Sequence, residues 1–218
     1  MRKILPIDIN KVLCNLSEER PIFHSEADFQ HSLAWIIHEK YPHFNVRLEK
    51  KENVDGKDIY LDIFLFEKGR IDEPIMIELK YKTEKLTVNI KEEFFELTNQ
   101  GAHDQARYDF LKDISRIESL IEQKYPKGMG ITIFLTNDRK YWELPEKDID
   151  TVDKEFRIHE GRIIKKTTLK WKKGTSKGTK SGREEPICLK GDYHLSWQKY
   201  SCSDKYLFKY LAIVIKDL

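Results

Sequence analysis

Apolar residues recur at helical spacing in two segments of the chain. The first segment, residues 24–42, begins with Ser25 at an N-cap position and ends at Pro42. The second, residues 102–126, is longer and has the same period. The two apolar stripes consist of Phe29, Leu33, Ile36 and Ile37, and of Phe110, Ile114, Ile117 and Ile121. We therefore predict two helices.

Four shorter runs are rich in β-branched and aromatic residues, which indicates strands. They cover residues 44–49, 57–67, 73–82 and 128–138. Turns at Asp55-Gly56 and near Gly69 favour antiparallel hairpins between the first three strands. In the second strand, alternation places one set of side chains on a single face: Ile59, Leu61, Ile63 and Leu65. The order helix, three strands, helix, strand predicts an α/β fold with a central mixed sheet and helices on both faces.

The remainder of the chain predicts a β-rich extension. Residues 155–166 indicate a hairpin turning at Glu160-Gly161, and residues 205–218 favour a last strand over a helix. Residues 172–186, rich in Lys, Gly, Ser and Thr, predict a mobile basic loop, which we take as solvated rather than gripping phosphate. We interpret residues 1–218 as one domain, with a core at about 24–140 and an extension at 141–218.

The composition says more about the cellular compartment of the protein than about its function. The 218 residues include 39 Lys+Arg and 37 Asp+Glu, so a net charge of +2 neither indicates nor excludes nucleic acid. Cys14, Cys188 and Cys202 form no C-x-x-C pair, which suits a reducing cytoplasm. No apolar run approaches the length of a membrane span, and the first residues lack a signal-peptide core. We expect a cytoplasmic protein with no membrane partner.

The chemistry centres on two neighbouring strands. Asp62 is the only charge inside the apolar run 59–66, and a buried carboxylate without a partner costs several kcal/mol. Glu78 and Lys80 lie inside the next strand. If the strands pair, Asp62 and Glu78 share a face and repel unless a cation lies between them. Carboxylate oxygens favour Mg²⁺ or Mn²⁺, and Lys80 would stabilise charge that develops on a phosphate.

The specificity of this pattern comes from its context. An acid followed two residues later by lysine occurs five times, but only Glu78 and Lys80 lie in an apolar strand after a strand with one internal Asp. The alternative is a solvated strand end where the two residues pair. Glu26 shares a helix side with Phe29 and Leu33, which indicates a core-facing acid or, alternatively, a first-turn acid that complements the helix dipole.

With these residues in this order, residues 24–136 resemble the PD-(D/E)XK nuclease superfamily. The resemblance implies a restriction-endonuclease-like α/β/α sandwich, Mg²⁺ as cofactor with Mn²⁺ as a substitute, and hydrolysis of nucleic acid, with DNA favoured over RNA. It implies that Asp62, Glu78 and the backbone carbonyl of Leu79 are metal ligands. Lys80 would be the catalytic lysine. Glu26 matches the first-helix acid of many members and would join the catalytic set and the metal ligands.

The second helix is similar to the exonuclease and resolvase branch, whose members carry Gln and Tyr on this helix. Gln105 and Tyr108 occupy comparable places, although their spacing is one residue shorter than in that branch. By this resemblance Gln105 belongs to the catalytic set; otherwise it is an ordinary solvated helix residue.

Two further interpretations stay open. The chain could be a catalytically inactive nucleic-acid-binding or scaffold protein that retains the nuclease fold. Alternatively, Glu26, Asp62, Glu78 and Lys80 could form a buried ion network in a structural domain. The sequence also leaves open endonuclease or exonuclease action, the recognition sequence, and a monomer or a homodimer.

Overall fold

The structure is a computed structural model that describes residues 6–54, 56–144 and 150–216. Its helices are α1 Ile9–Glu19, α2 Glu26–Lys40, α3 His103–Gln123 and the single turn α4 Lys177–Lys180, with 3₁₀ turns at Arg139–Tyr141 and Lys154–Phe156. Its strands are β1 Phe44–Val54, β2 Lys57–Glu67, β3 Ile75–Lys82, β4 Leu86–Ile90, β5 Glu93–Leu97, β6 Met129–Thr136, β7 Ile163–Ile164, β8 Thr167–Leu169, β9 Ile187–Leu189, β10 Tyr193–His194, β11 Trp197–Ser203 and β12 Tyr206–Ile215. None of the helices in these ranges is long and apolar enough to cross a membrane.

The main sheet has six strands in the order β1-β2-β3-β6-β12-β11. Strands β3 and β6 run parallel, joined through α3, whereas every other neighbouring pair is antiparallel. This confirms the predicted α/β class with a mixed central sheet. The first two predicted hairpins are confirmed as well, although Asp55 of the first turn lies outside the described residues.

Each face of the sheet carries its own apolar core. On one face, α1 and α2 pack against sheet residues that include Ile77. On the other, α3 and much of the extension pack against sheet residues that include Met76. Neighbouring residues of one strand point to opposite faces, so β3 contributes to both cores and is covered on both sides.

Two of the elements that were not predicted from the sequence lie in the first half of the chain. Helix α1 begins after Asp8, whose carboxylate caps it by accepting from the Lys11 amide at 3.1 Å. Its buried residues are Ile9, Val12, Leu13 and Leu16, which is a helical spacing that the sequence does contain. The second element is the hairpin of β4 and β5, whose buried residues extend the core beneath α2.

In the extension, β8, β9, β11 and the turn α4 were not predicted, and one prediction is wrong. The hairpin predicted for residues 155–166 is wrong, because β7 pairs with β10 rather than with residues 155–158. The chain does turn at Gly161, whose φ of 74° suits glycine. The strand predicted at the end of the extension is confirmed as β12. In the predicted basic loop, Arg183 forms an ion pair with Asp109 of α3 at 2.6 Å.

Candidate functional site: carboxyl groups where β2 and β3 separate

The candidate site lies where the pairing of β2 and β3 stops. These strands pair only from Leu65 opposite Ile75 to Ile63 opposite Ile77. Continuing this register would place Asp62 opposite Glu78, as predicted, but the ladder ends there. Beyond that point β3 presents a free edge toward β2.

Side-chain carboxylates take the place of β2 along this free edge. The amide N–H of Leu79 donates to Asp62 Oδ2 at 2.6 Å, and that of Tyr81 donates to Glu26 Oε2 at 2.6 Å. Both edge donors are thereby satisfied, as buried backbone groups require. The structure therefore brings Glu26 of α2 and Asp62 of β2 to the same strand edge as Glu78.

A distortion of the β1–β2 hairpin accompanies this separation. Leu48 pairs with Ile63 and Lys50 with Leu61, but Glu49, which lies between them, has a φ of 51° and makes no pair with Asp62. A residue other than glycine is rare in this left-handed region and is held there by its surroundings. The strand is irregular at the position that carries the candidate ligand.

The distortion also changes which core the β2 side chains enter. Ile59 and Leu61 join the α3 core, whereas Ile63 and Leu65 join the α1–α2 core. The prediction that these four residues share one face is wrong, because strict alternation fails at Asp62.

Gln30 of α2 holds this irregular segment. Its Nε2 donates to the backbone carbonyl of Asp62 at 2.8 Å and to Glu49 Oε1 at 2.6 Å. A carbonyl released from the β1–β2 ladder thus finds another donor. Gln30 was not predicted from the sequence, where it is an ordinary polar helix residue.

Glu78 is the most constrained carboxyl group of the site. Its residue is only 3% exposed, and within the described parts of the chain its Oε1 has no hydrogen-bond partner. Burial raises the pKa of Glu78 well above its usual range, and the neighbouring Asp113 and Asp62 carboxylates raise it further. A buried acceptor without a donor is costly, so this oxygen calls for a proton, a water or a cation.

The pKa of Asp62 is also raised, but less than that of Glu78. Burial raises the pKa of Asp62 to about 6, although the Leu79 N–H and the Lys80 charge act in the opposite direction. The carboxyl groups of Glu26 and Asp113 add to the increase. Shifts of this kind are common at functional sites.

Lys80 is held by an acid that the sequence analysis missed. Its Nζ lies 2.6 Å from Asp113 Oδ2 and donates to the Leu79 carbonyl at 3.1 Å. Asp113 is buried and also binds Arg116, with 2.7 Å between Oδ1 and NH1. Burial alone would lower the pKa of Lys80, but the carboxylates of Asp113 and Glu26 outweigh it and raise the pKa above its usual range.

The sequence did contain a signal for Asp113. It lies three residues after Phe110 and four before Ile117, so it falls on the core-facing side of α3. An acid on a buried helix stripe needs a partner, and Lys80 with Arg116 meets that need.

The charges of this cluster do not balance. Four carboxyl groups face two cationic side chains, which leaves two negative charges when all are ionised: Glu26, Asp62, Glu78 and Asp113 against Lys80 and Arg116. One divalent cation would compensate for this excess. In the described ranges, however, no group of three or more His, Cys, Asp or Glu side chains is arranged to hold a metal ion. A metal would therefore rely on Asp62, Glu78 and the backbone carbonyl of Leu79, together with water.

Gln105 lies elsewhere. Its Nε2 donates to the carbonyl of Thr179 at 3.0 Å, which ties the first turn of α3 to α4. Asp113 follows eight residues later, or about 12 Å along the helix axis. Tyr108 donates its hydroxyl to the Glu185 carbonyl at 2.8 Å. The structure therefore does not bring Gln105 to Lys80.

A cavity of about 470 Å³ opens beside Lys80 and Asp113. Its walls are the start of β2, the face of α3 between Tyr108 and Ser119, and residues 185–187 of the extension. Lys80 thus stands between the buried carboxyl groups and an open space large enough for a ligand.

No family model matches this chain, and neither the curated proteins nor the solved structures gave a match.

Proposed function

We propose that this protein is a metal-dependent phosphodiester hydrolase, a nuclease of the PD-(D/E)XK type, that uses Mg²⁺ with Mn²⁺ as a substitute. One observation carries the proposal: Glu78, 3% exposed, keeps an oxygen without a hydrogen-bond partner among the described residues, next to Asp62. Carboxylate oxygens placed in this way suit a hard divalent cation. DNA is the favoured substrate, by the resemblance of the sequence.

Each residue of the cluster has a distinct role in this proposal. Asp62, Glu78 and the Leu79 carbonyl would hold the cation, which when bound polarises a phosphate and lowers the pKa of a coordinated water. Glu26 positions the edge of β3 through the Tyr81 amide. Lys80, which lines the cavity, places a positive charge where negative charge develops on the phosphate. Asp113 orients that lysine.

One competing interpretation has support of its own. The contacts of Lys80 and Arg116 with Asp113 are those of a buried ion network, which needs neither metal nor turnover. An inactive nucleic-acid-binding protein with this fold would have the same contacts. Measurements of metal binding and of cleavage separate the three interpretations.

The deciding experiment compares two lysines of β3. Lys80→Ala should abolish Mg²⁺-dependent or Mn²⁺-dependent cleavage of whichever DNA the parent protein cleaves, single-stranded or duplex, because the charge beside the phosphate is lost. The matched control is Lys82→Ala, two residues further along the same strand, which should cleave like the parent protein. Equal cleavage by the two variants would contradict the role of Lys80.

Metal binding is followed separately by thermal unfolding. Millimolar Mn²⁺ should raise the Tm of the parent protein, because a ligand specific to the folded state stabilises it. The double variant Asp62→Asn, Glu78→Gln should lose this response, whereas Asp58→Asn, an exposed acid of the same strand, should keep it. A parent protein whose Tm ignores the metal would favour the ion network.

A further inference from the structure

The cavity beside Lys80 is a trough along α3. Its α3 wall runs from Tyr108 to Ser119, a distance of about 16 Å along the helix. The start of β2 forms a second wall, and Glu185, Pro186 and Ile187 of the extension form a third. The carbonyl of Glu185 is tied to α3 by the Tyr108 hydroxyl at 2.8 Å, so this third wall is anchored.

Most acids that line the trough already have a cationic partner. Asp58 pairs with Lys51 at 2.6 Å, and Asp109 pairs with Arg183 at 2.6 Å. Asp113 binds both Lys80 and Arg116 and so carries one negative charge against two positive ones. The carboxylate of Glu185 is the remaining acid of the trough.

Two cations that line the trough have no acidic partner among the described residues. Lys57 and Lys112 line it and have no ion-pair partner within the described ranges. Lys112 lies over the Tyr108 ring, with 5.8 Å between its Nζ and the ring centroid. Lys80 and Arg116 already face the carboxyl groups of the candidate site, so Lys57 and Lys112 are the cations of the trough that no acid engages within the described ranges. Such a surface favours a phosphate-bearing ligand.

We propose that this trough binds a nucleotide of single-stranded DNA, with its phosphate between Lys112 and Arg116 and its neighbouring phosphate at Lys80. The inference rests on the proposed function, because it places the substrate of the same site. A cavity of about 470 Å³ is of the size that takes one drug-sized molecule, which a mononucleotide unit resembles. A volume of about 470 Å³ takes one nucleotide unit and not a base pair with its two backbones. The substrate class is therefore an unpaired strand or a frayed end.

The test measures binding without chemistry. Fluorescence anisotropy of a labelled oligothymidylate is recorded in EDTA, with a dA·dT duplex of equal length as the second probe. The single strand should bind at least about tenfold more tightly than the duplex. Lys112→Glu and Lys57→Glu should each weaken single-strand binding by about tenfold or more and flatten its salt dependence, since each lysine neutralises about one phosphate. Lys205→Glu, in the exposed turn between β11 and β12, should bind like the parent protein.

Every outcome decides the inference. Duplex binding as tight as single-strand binding, no binding of either probe, or equal losses for Lys112→Glu and Lys205→Glu would each overturn it. Lys57 is exposed, so its variant remains informative if Lys112→Glu does not fold, as judged by circular dichroism. Lysine-dependent binding of the single strand without metal-dependent cleavage would refute the nuclease function and leave the binding site standing. Metal-dependent cleavage that is unchanged in both lysine variants would support the nuclease function and refute the binding site.

Discussion

Two glutamates of this protein are equally buried and have opposite chemistry. Glu52 of β1 and Glu78 of β3 are each 3% exposed. Glu52 is fully engaged: Lys124 lies 2.6 Å from Oε2, the Tyr125 hydroxyl donates to Oε1 at 2.7 Å, and Lys50 also donates to Oε1. Burial raises the pKa of Glu52, but the hydrogen bonds from Lys124, Lys50 and Tyr125 outweigh it, so the net shift is downward. At Glu78, burial and two neighbouring acids act together, and the pKa rises.

This contrast shows that the burial of a carboxylate does not by itself indicate function. Glu52 binds donors from β1 and from the end of α3, so it joins a strand to a helix and has no capacity left for a ligand. Glu78 has one oxygen without a protein donor among the described residues and acids as neighbours. Unused bonding capacity, rather than burial, marks the candidate site.

The largest expected effect concerns Glu52, the glutamate whose carboxylate is fully hydrogen-bonded. Glu52→Ala should lower the free energy of unfolding by about 3 kcal/mol, because it leaves the buried Tyr125 hydroxyl without its acceptor and removes the partner of Lys50 and Lys124. Glu78→Gln, measured without metal, should leave the stability unchanged or increase it, because it removes a disfavoured charge. Urea unfolding in EDTA measures both variants. An equal loss of unfolding free energy in the two variants would contradict the proposed difference between Glu52 and Glu78.

The next effect concerns pH. The pKa of Asp62 is raised from 3.8 to about 6, so the folded state binds its proton more tightly than the unfolded state. The resulting stabilisation is fully present below about pH 4 and is lost as the pH rises through about 6. Asp62→Asn keeps an oxygen for the Leu79 amide but removes this dependence.

The variant should therefore be more stable than the parent protein at pH 7, by at most about 3 kcal/mol, and the gain should vanish near pH 4. Urea unfolding in EDTA across this range measures the difference. A gain that does not change with pH would show that the charge of Asp62 is not its source.

The smallest effect concerns the residue that holds the irregular segment of β2. Gln30→Ala should cost about 1–2 kcal/mol, because it removes two hydrogen bonds and leaves the carbonyl of Asp62 without its donor. It should also reduce the Tm increase caused by Mn²⁺, since Asp62 would no longer be held in place. Gln198→Ala removes an exposed amide of β11 and serves as the control for both measurements. A Gln30 variant that unfolds earlier but keeps the full Mn²⁺ response would have a structural role only.

Strands β1, β2, β3, β6 and β12, and the acids inside β2 and β3, could be predicted because their signals are local. A single charge in an apolar strand identifies Asp62, and an apolar strand with an acid and a lysine identifies Glu78 and Lys80. Gln30 could not be predicted, because only the tertiary fold brings it to its acceptors, Glu49 Oε1 and the Asp62 carbonyl. The helical spacing of α3 could have predicted that Asp113 faces the core. Its partner, Lys80, could not be predicted, because the tertiary fold brings the two together.

The pairing of β7 with β10 could not be predicted either, because it joins segments that are far apart in the sequence. The turn at Gly161 indicates that the chain reverses, but it does not say which segment the next strand will meet. The partner of β7 lies about 30 residues further along the chain, and nothing in residues 155–166 specifies it. Pairing over such a distance is decided by the core that forms around it.

The position of β12 has a consequence for how the molecule assembles. This strand follows all other described strands in the chain, yet it lies inside the sheet between β6 and β11, and its partners on β6 are roughly 70–85 residues earlier. Closing such a loop is entropically costly and slows folding. Until residues 206–215 arrive, β6, whose eight residues are all buried in the finished sheet, is an open apolar edge. Such edges invite pairing with other chains, so truncation within the extension should yield an aggregating protein rather than a smaller stable core.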